Sequence, residues 1–340
     1  MKVRFDFKAI DLMIEMFHDA KKGTVVNRDM LDRLLSHDAL IQMIKHYNRP
    51  EGLNAHIVMK DLKNVFLNLN KKKFFSENDF LIEFHRNLRS KFDVLEELED
   101  FLRHLKEKQE EVTNFAQKKL QRFLPQEIDF NTRIFIVFTG YSGGYFVGND
   151  ITLDLEHISK SLDKVASTIA HELHHIAFNG ILESKLLSRQ LPANKYLLAE
   201  LVGGLMGEGI AYYCVGGDPE TGHVGYEDTS NYQNDLKKWK SYFTEVNAVM
   251  LKLLNNELNT KEFFEWVSKH MSKTFGAINM VGIKTVEAVY RTKGDKGILE
   301  VIADPAVYIR EYNNAATYLN DVEKANYPLF NHCLEVVFAQ

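Results

Sequence analysis

Two histidines four residues apart, with a glutamate directly after the first, form the segment of this 340-residue chain best suited to chemistry: His171-Glu172-Leu173-His174-His175. On a helix, residues i and i+4 project to the same side from adjacent turns. His171 and His175 can therefore offer two imidazole nitrogens to one divalent ion, at the roughly 2.0–2.1 Å that zinc takes. Glu172 lies about 100° around the helix from His171. It cannot easily share the ion with both histidines, but it can reach a water held there and take its proton. His174 falls off that face and reads as a supporting or capping residue rather than a ligand. The flanks oppose a chance match in a loop. Leu162, Val165, Ala166, Ile169, Leu173 and Ile176 form an apolar stripe, which predicts a core-facing helix over 161–178 that stops at Asn179-Gly180.

A catalytic zinc needs a third protein ligand and an open position for water. The metzincin extension is excluded, because Phe178 and Ile181 stand where it requires Gly and His. A thiolate site is excluded too: Cys214 and Cys333 are the only cysteines, and their apolar flanks read as two buried thiols. What remains is a carboxylate on the next helix, predicted over 194–214, which holds Glu200 and Glu208. Glu208 sits in Gly203-Gly204-Leu205-Met206-Gly207-Glu208-Gly209. Each helical glycine costs about 1 kcal/mol relative to Ala, and close approach of another helix is a physical reason to accept that. Such an approach would carry Glu208 to the ion. Glu200 has no such neighbours and reads as an outward charge, so Glu208 is the expected ligand.

The elements that must position these residues are mostly helices. Residues 1 to about 125 read as helical, most clearly where Leu95, Leu98, Phe101, Leu102, Leu105, Val112, Phe115, Ala116, Leu120, Phe123 and Leu124 make a stripe ended by Pro125. The alternating charges of Lys106 to Glu111 read as its solvated face. Arg133-Ile134-Phe135-Ile136-Val137-Phe138 is β-branched and aromatic, the texture of a buried strand. A turn at Gly140-Tyr141-Ser142-Gly143-Gly144 leads to one or two further strands within 145–155, broken at Gly148-Asn149-Asp150. That turn matches no phosphate-binding motif. Helices return from about 159 onward, interrupted by the Gly-, Asp- and Thr-rich loop 216–231 and by stops near Asn255-Asn256, Gly276 and Pro305. The loop reads as surface, and its acids fit no EF-hand.

Composition limits the alternatives. Charges of 42 Lys+Arg against 47 Asp+Glu leave a net of −5, with 45% apolar residues. This is ordinary globular composition without the basic excess that phosphate neutralisation needs. No secretory signal and no apolar stretch approaching the roughly 18–20 residues of a membrane span is visible. A cytoplasmic protein with neither nucleic-acid nor membrane partners is expected.

His171-Glu172-Leu173-His174-His175 followed by Gly207-Glu208-Gly209-Ile210-Ala211-Tyr212 resembles the gluzincin metallopeptidases, and among them the bacterial zinc-dependent peptidases of the DUF5700 type. The resemblance is specific over roughly 135–215. In gluzincins the third ligand is a glutamate in an E-(G/S)-x-A-like segment, which implies Glu208 here. Their small sheet has an edge strand that binds extended substrate, which would fall within 145–155. Val281-Gly282-Ile283-Lys284 through Gly294, then Asp304-Pro305 and Tyr308 to Tyr312, looks like their closing helices. Relatives often carry a Tyr just before that Gly, where this chain has Asn279-Met280-Val281.

The expectation is an α+β, predominantly helical chain: a helical N-terminal domain over 1–125, and a zincin-like domain over 126–340 with a small β-sheet preceding the motif helix. Zn2+ would be held by His171, His175 and Glu208, with Glu172 as general base in peptide hydrolysis. Tyr212, Tyr213, Tyr226, Tyr290 and His223 are candidate transition-state donors, and peptides or proteins the substrates. A zinc hydrolase of a small amide and a catalytically silent binding protein on the same fold are the alternatives.

Overall fold

The computed structural model describes residues 2–50, 53–124, 128, 130–140, 143–155, 161–271 and 275–338. The fold is α+β and predominantly helical, with thirteen α-helices and one four-stranded sheet among the described residues. The chain forms two compact units, residues 1–116 with 129–172, and residues 117–128 with 173–340.

The first unit begins with β1 (Lys2–Asp6), α1 (Lys8–Lys21), α2 (Arg28–Leu35), α3 (Asp38–Tyr47), α4 (Met59–Leu67), α5 (Asp79–Ser90) and most of α6 (Leu95–Gln121). It continues through β2 (Asn131–Val137), β3 (Gly144–Val147) and β4 (Asp150–Asp154) into the first half of α7 (Leu162–Leu182). Strand order is β1-β2-β4-β3. β2 runs parallel to β1 and β4, and β3 pairs antiparallel with β4. The apolar run Ile134–Val137 is buried throughout, as a strand between two parallel neighbours requires. Residues 145–155 supply two strands, which turn at Gly148 with φ +62°.

β1 departs from the helical reading of residues 1–125. Lys2-Val3-Arg4-Phe5-Asp6 alternates polar and apolar over only five residues, and its partner β2 lies far along the chain. Local periodicity is too short there to announce a pairing that tertiary contact creates. Pro125, the expected stop of α6, and residues 141–142 of the expected turn lie outside the described residues.

One buried carboxylate holds the turn that leads into β3. Asp154 accepts from the backbone N–H groups of Thr139 (3.0 Å) and Gly140 (2.6 Å) and from the Thr139 hydroxyl. A charge with no exposed surface is tolerable only with such donors. From the α3 side, His46 stacks on Tyr145 at 4.0 Å between centroids and 9° between planes. Arg49 donates to the Phe146 carbonyl at 3.0 Å. Burial, and then the charge of Arg49, push the His46 pKa down to about 3.

The second unit contains the rest of α7, then α8 (Ala193–Ile210), α9 (Ser230–Leu236), α10 (Trp239–Leu254), α11 (Thr260–Met271), α12 (Ala277–Ala303) and α13 (Tyr308–Glu323). α8 and α12 pack along each other, with α10 and α13 against α12. α12 is interrupted at Gly294, where φ is +59° and ψ −152°.

One helix outruns its expected end. α7 passes through Asn179-Gly180 to Leu182 and continues as a π-helical turn, Glu183–Leu187. Glycine permits a stop without forcing one, and Leu182 is buried against Gly203 of α8. α8 meets its expectation: it ends at Ile210, and a π-helical turn over Ala211–Val215 completes the helical stretch expected to reach 214. Cys214 is buried, whereas Cys333, expected to be buried, is exposed near the C-terminus; both are free thiols. No helix among the described residues is long and apolar enough to cross a membrane.

Candidate metal centre

The apolar stripe of α7 holds the motif in the core: His171, Glu172, His174 and His175 are all at least nine-tenths buried. One ligand atom from each of His171, His175 and Glu208 lies within 4.8 Å of the other two. His175 Nε2 and Glu208 Oε2 are 3.5 Å apart. Two ligands bound tetrahedrally to zinc stand about 3.4 Å from each other, given the usual bond lengths. The pair is thus already at ligand spacing. Two imidazoles and a carboxylate form a donor set suited to zinc.

Glycines explain how α8 delivers Glu208. A Cβ on Gly203 would stand 2.3 Å from Leu182 Cδ2, and one on Gly207 would stand 3.1 Å from Phe178 Cδ1 and 3.7 Å from His175 Nδ1. These two positions let α8 lie directly on α7. On another side, a Cβ on Gly209 would be 2.3 Å from the Gly282 carbonyl oxygen of α12, and a Cβ on Gly282 2.2 Å from the Leu205 carbonyl oxygen. Backbone meets backbone there, which only glycine allows. Gly204 has no such role; its added Cβ would meet Ile278 at an ordinary 3.8 Å.

Glu200 is not among the grouped donors. It lies beside Tyr196, whose hydroxyl pKa is raised by burial and then by Glu200 and Glu183. His174 is neither a member of the donor group nor a cap. It sits mid-helix with no exposed surface, its ring stacked on Phe178 at 5.7 Å and 8°.

The residue that sequence reasoning missed is Gly144, the first residue of β3. A Cβ there would stand 2.8 Å from Thr168 Cγ2, 3.2 Å from Glu172 Oε1 and 3.3 Å from Glu172 Cγ. The edge strand therefore runs directly over the glutamate of the motif. The doublet Gly143-Gly144 was the available signal, but it reads equally well as a turn.

The candidate donors separate by their partners. Tyr290 accepts from Arg122 at 2.9 Å and donates to Glu220 at 3.1 Å. Tyr213 is buried with its ring edge-on to Tyr290 at 6.0 Å. His223 pairs with Glu227 at 2.7 Å. Tyr212, one turn beyond Glu208, meets Tyr226 edge-on at 6.1 Å. Asn279, just before Gly282, has a buried Oδ1 with no hydrogen-bond partner among the described residues.

The loop expected over 216–231 ends at Thr229, which caps α9, and is ordered by backbone and side-chain hydrogen bonds. Asp218 and His223 exchange backbone hydrogen bonds, Glu227 accepts from the Val224 N–H at 2.9 Å, and Lys119 donates to the Gly217 carbonyl at 3.0 Å. Arg122 grips both Glu220 and Asp295.

The chain matches no curated protein and no solved structure. A family model does match, over residues 31–321, a span that includes the motif helix, α8 and α12. Its description names the metal for which the grouped donors are suited, and on that match the chain belongs to the family described as "Putative zinc dependent peptidase (DUF5700)".

Proposed function

We propose that the chain hydrolyses peptide bonds, with His171, His175 and Glu208 as the zinc ligands and Glu172 as the general base. The observation that carries this reading is the convergence of the three donors within 4.8 Å, with Glu172 adjacent on the same helix. Bound zinc would supply Lewis acidity and lower the pKa of a coordinated water toward about 7.

The protein's own residues do the rest. Glu172 takes the proton of the attacking water on its carboxylate and passes it to the leaving amine nitrogen. Burial keeps bulk water from competing for that proton. Gly144 keeps the Glu172 carboxylate beside the β3 backbone. A strand at the sheet edge beside the base suits an extended polypeptide, which pairs through main-chain hydrogen bonds. This favours peptides over small amides as substrates.

The test joins metal analysis to a peptide-cleavage assay. The wild type should bind one zinc per chain and lose cleavage on chelation. Glu172→Gln should retain zinc while kcat falls at least about a thousandfold, the scale expected when a base is removed from a metal site. Undiminished cleavage by Glu172→Gln would sink the base assignment. A wild type that binds zinc but cleaves nothing in a diverse peptide library would sink the peptidase reading.

A further inference from the structure

Averaged over the chain, charge is mildly negative, but one end of the first unit is basic. Lys21 and Lys22 close α1 and open the loop to α2, and Lys71, Lys72 and Lys73 lie in the loop between α4 and α5. All five are exposed, and none has an ion-pair partner among the described residues. The two loops touch: Asn70 Nδ2 donates to the Gly23 carbonyl at 3.4 Å. Glu77 and Asp79 follow at the entry to α5, where acids complement a helix N-terminus.

Among these lysines the chain presents apolar side chains to solvent. Phe75 is 83% exposed and Val25 63%. The exposure of Phe75 is built in. Its neighbour Phe74 turns inward and stacks on His85 at 5.0 Å and 19°. His85 Nε2 bonds the Asn68 carbonyl at 3.0 Å, and Arg89 donates to the Leu69 carbonyl. The loop is thus tied down on both sides of its basic run while one aromatic is held outward.

We propose that this end of the first unit docks on an anionic lipid surface, with Phe75 and Val25 entering the headgroup layer and the five lysines pairing with lipid phosphates and carboxylates. A polyanion alone would account for the lysines but not for the two outward apolar side chains. An apolar protein partner would account for Phe75 but not for five exposed cations on the two touching loops. An anionic bilayer offers charge at its surface and hydrocarbon just below, and so fits both. The sequence-level expectation of no membrane partner came from the lack of a spanning segment and from whole-chain averages, neither of which registers a local patch.

The experiment is co-sedimentation of the full chain with vesicles of phosphatidylcholine alone or with about one-third phosphatidylserine. Binding is expected only with the anionic lipid, falling steeply with salt as the Debye length shortens. The triple variant Lys71→Ala/Lys72→Ala/Lys73→Ala should weaken binding about a hundredfold, at roughly fivefold per lysine. Phe75→Ser should weaken it about tenfold while leaving the melting temperature unchanged. Three results would overturn the proposal: no binding to anionic vesicles, equal binding to neutral ones, or wild-type binding by both variants. Retention on heparin or polyglutamate with no vesicle binding would also overturn it and assign the patch to a soluble polyanion.

Discussion

Gly144 and Glu172 are packed so closely that a single methyl group on the glycine would stand 3.2 Å from the Glu172 carboxylate oxygen Oε1. A strand edge and a helix are thereby locked together at the residue proposed to move the proton. The nearest atom to that methyl would be Thr168 Cγ2, at 2.8 Å.

Gly144→Ala should therefore lower kcat about tenfold or more with zinc content unchanged, because displacement by even part of an ångström misaligns a proton acceptor. Adding Thr168→Ser removes Cγ2 and should restore part of the lost rate. Steady-state kinetics with metal analysis on the single and double variants checks this. Wild-type kinetics in Gly144→Ala would show that the contact does not matter to the base.

The glycines of α8 should respond oppositely to the same substitution. Gly209→Ala drives a Cβ into the Gly282 carbonyl at 2.3 Å and should cost about 3 kcal/mol, the upper range for overpacking. Gly204→Ala meets only an ordinary contact and should stabilise by about 0.5–1 kcal/mol through helix propensity. Denaturant melts of both variants give the two signs directly.

Zinc affinity should depend on the approach of α8 to α7. Gly207→Val would press on Phe178 and His175 and should weaken zinc binding about tenfold or more without removing a ligand. Glu208→Ala should weaken it further, by at least about a hundredfold. Competition titration against a chromogenic chelator measures both. Equal affinity in Glu208→Ala and wild type would mean that another group completes the site.

Acidification should loosen β3 through His46. Its folded pKa, about 3, lies below the ordinary value of 6.5. Between those values the unfolded chain binds a proton that the folded chain does not. Stability is therefore full above about pH 6.5 and declines as pH falls toward 3, by up to a few kcal/mol. His46→Phe keeps a ring against Tyr145 and should flatten that part of the profile. Urea melts of both proteins at a series of pH values provide the comparison.

Much of the candidate site was legible in residue order because it depends on local spacing. The i, i+4 pair His171 and His175 follows from helical periodicity, and the run of buried residues in β2 follows from its β-branched texture. The glycines around Glu208 signalled a close helix contact before any partner could be named. Only tertiary structure decided which partners those were: α7 against Gly203 and Gly207, and α12 against Gly209. Glycine records that space is short, but not what fills it. The same limit hid β1, whose pairing with β2 is a long-range contact, and Gly144, whose neighbour Glu172 lies on another element. It also hid the course of α7 past Asn179-Gly180, where packing of Leu182 on α8 outweighs a local stop signal. Short-range order writes the side-chain pattern of each element; which faces meet is settled by burial across the whole chain.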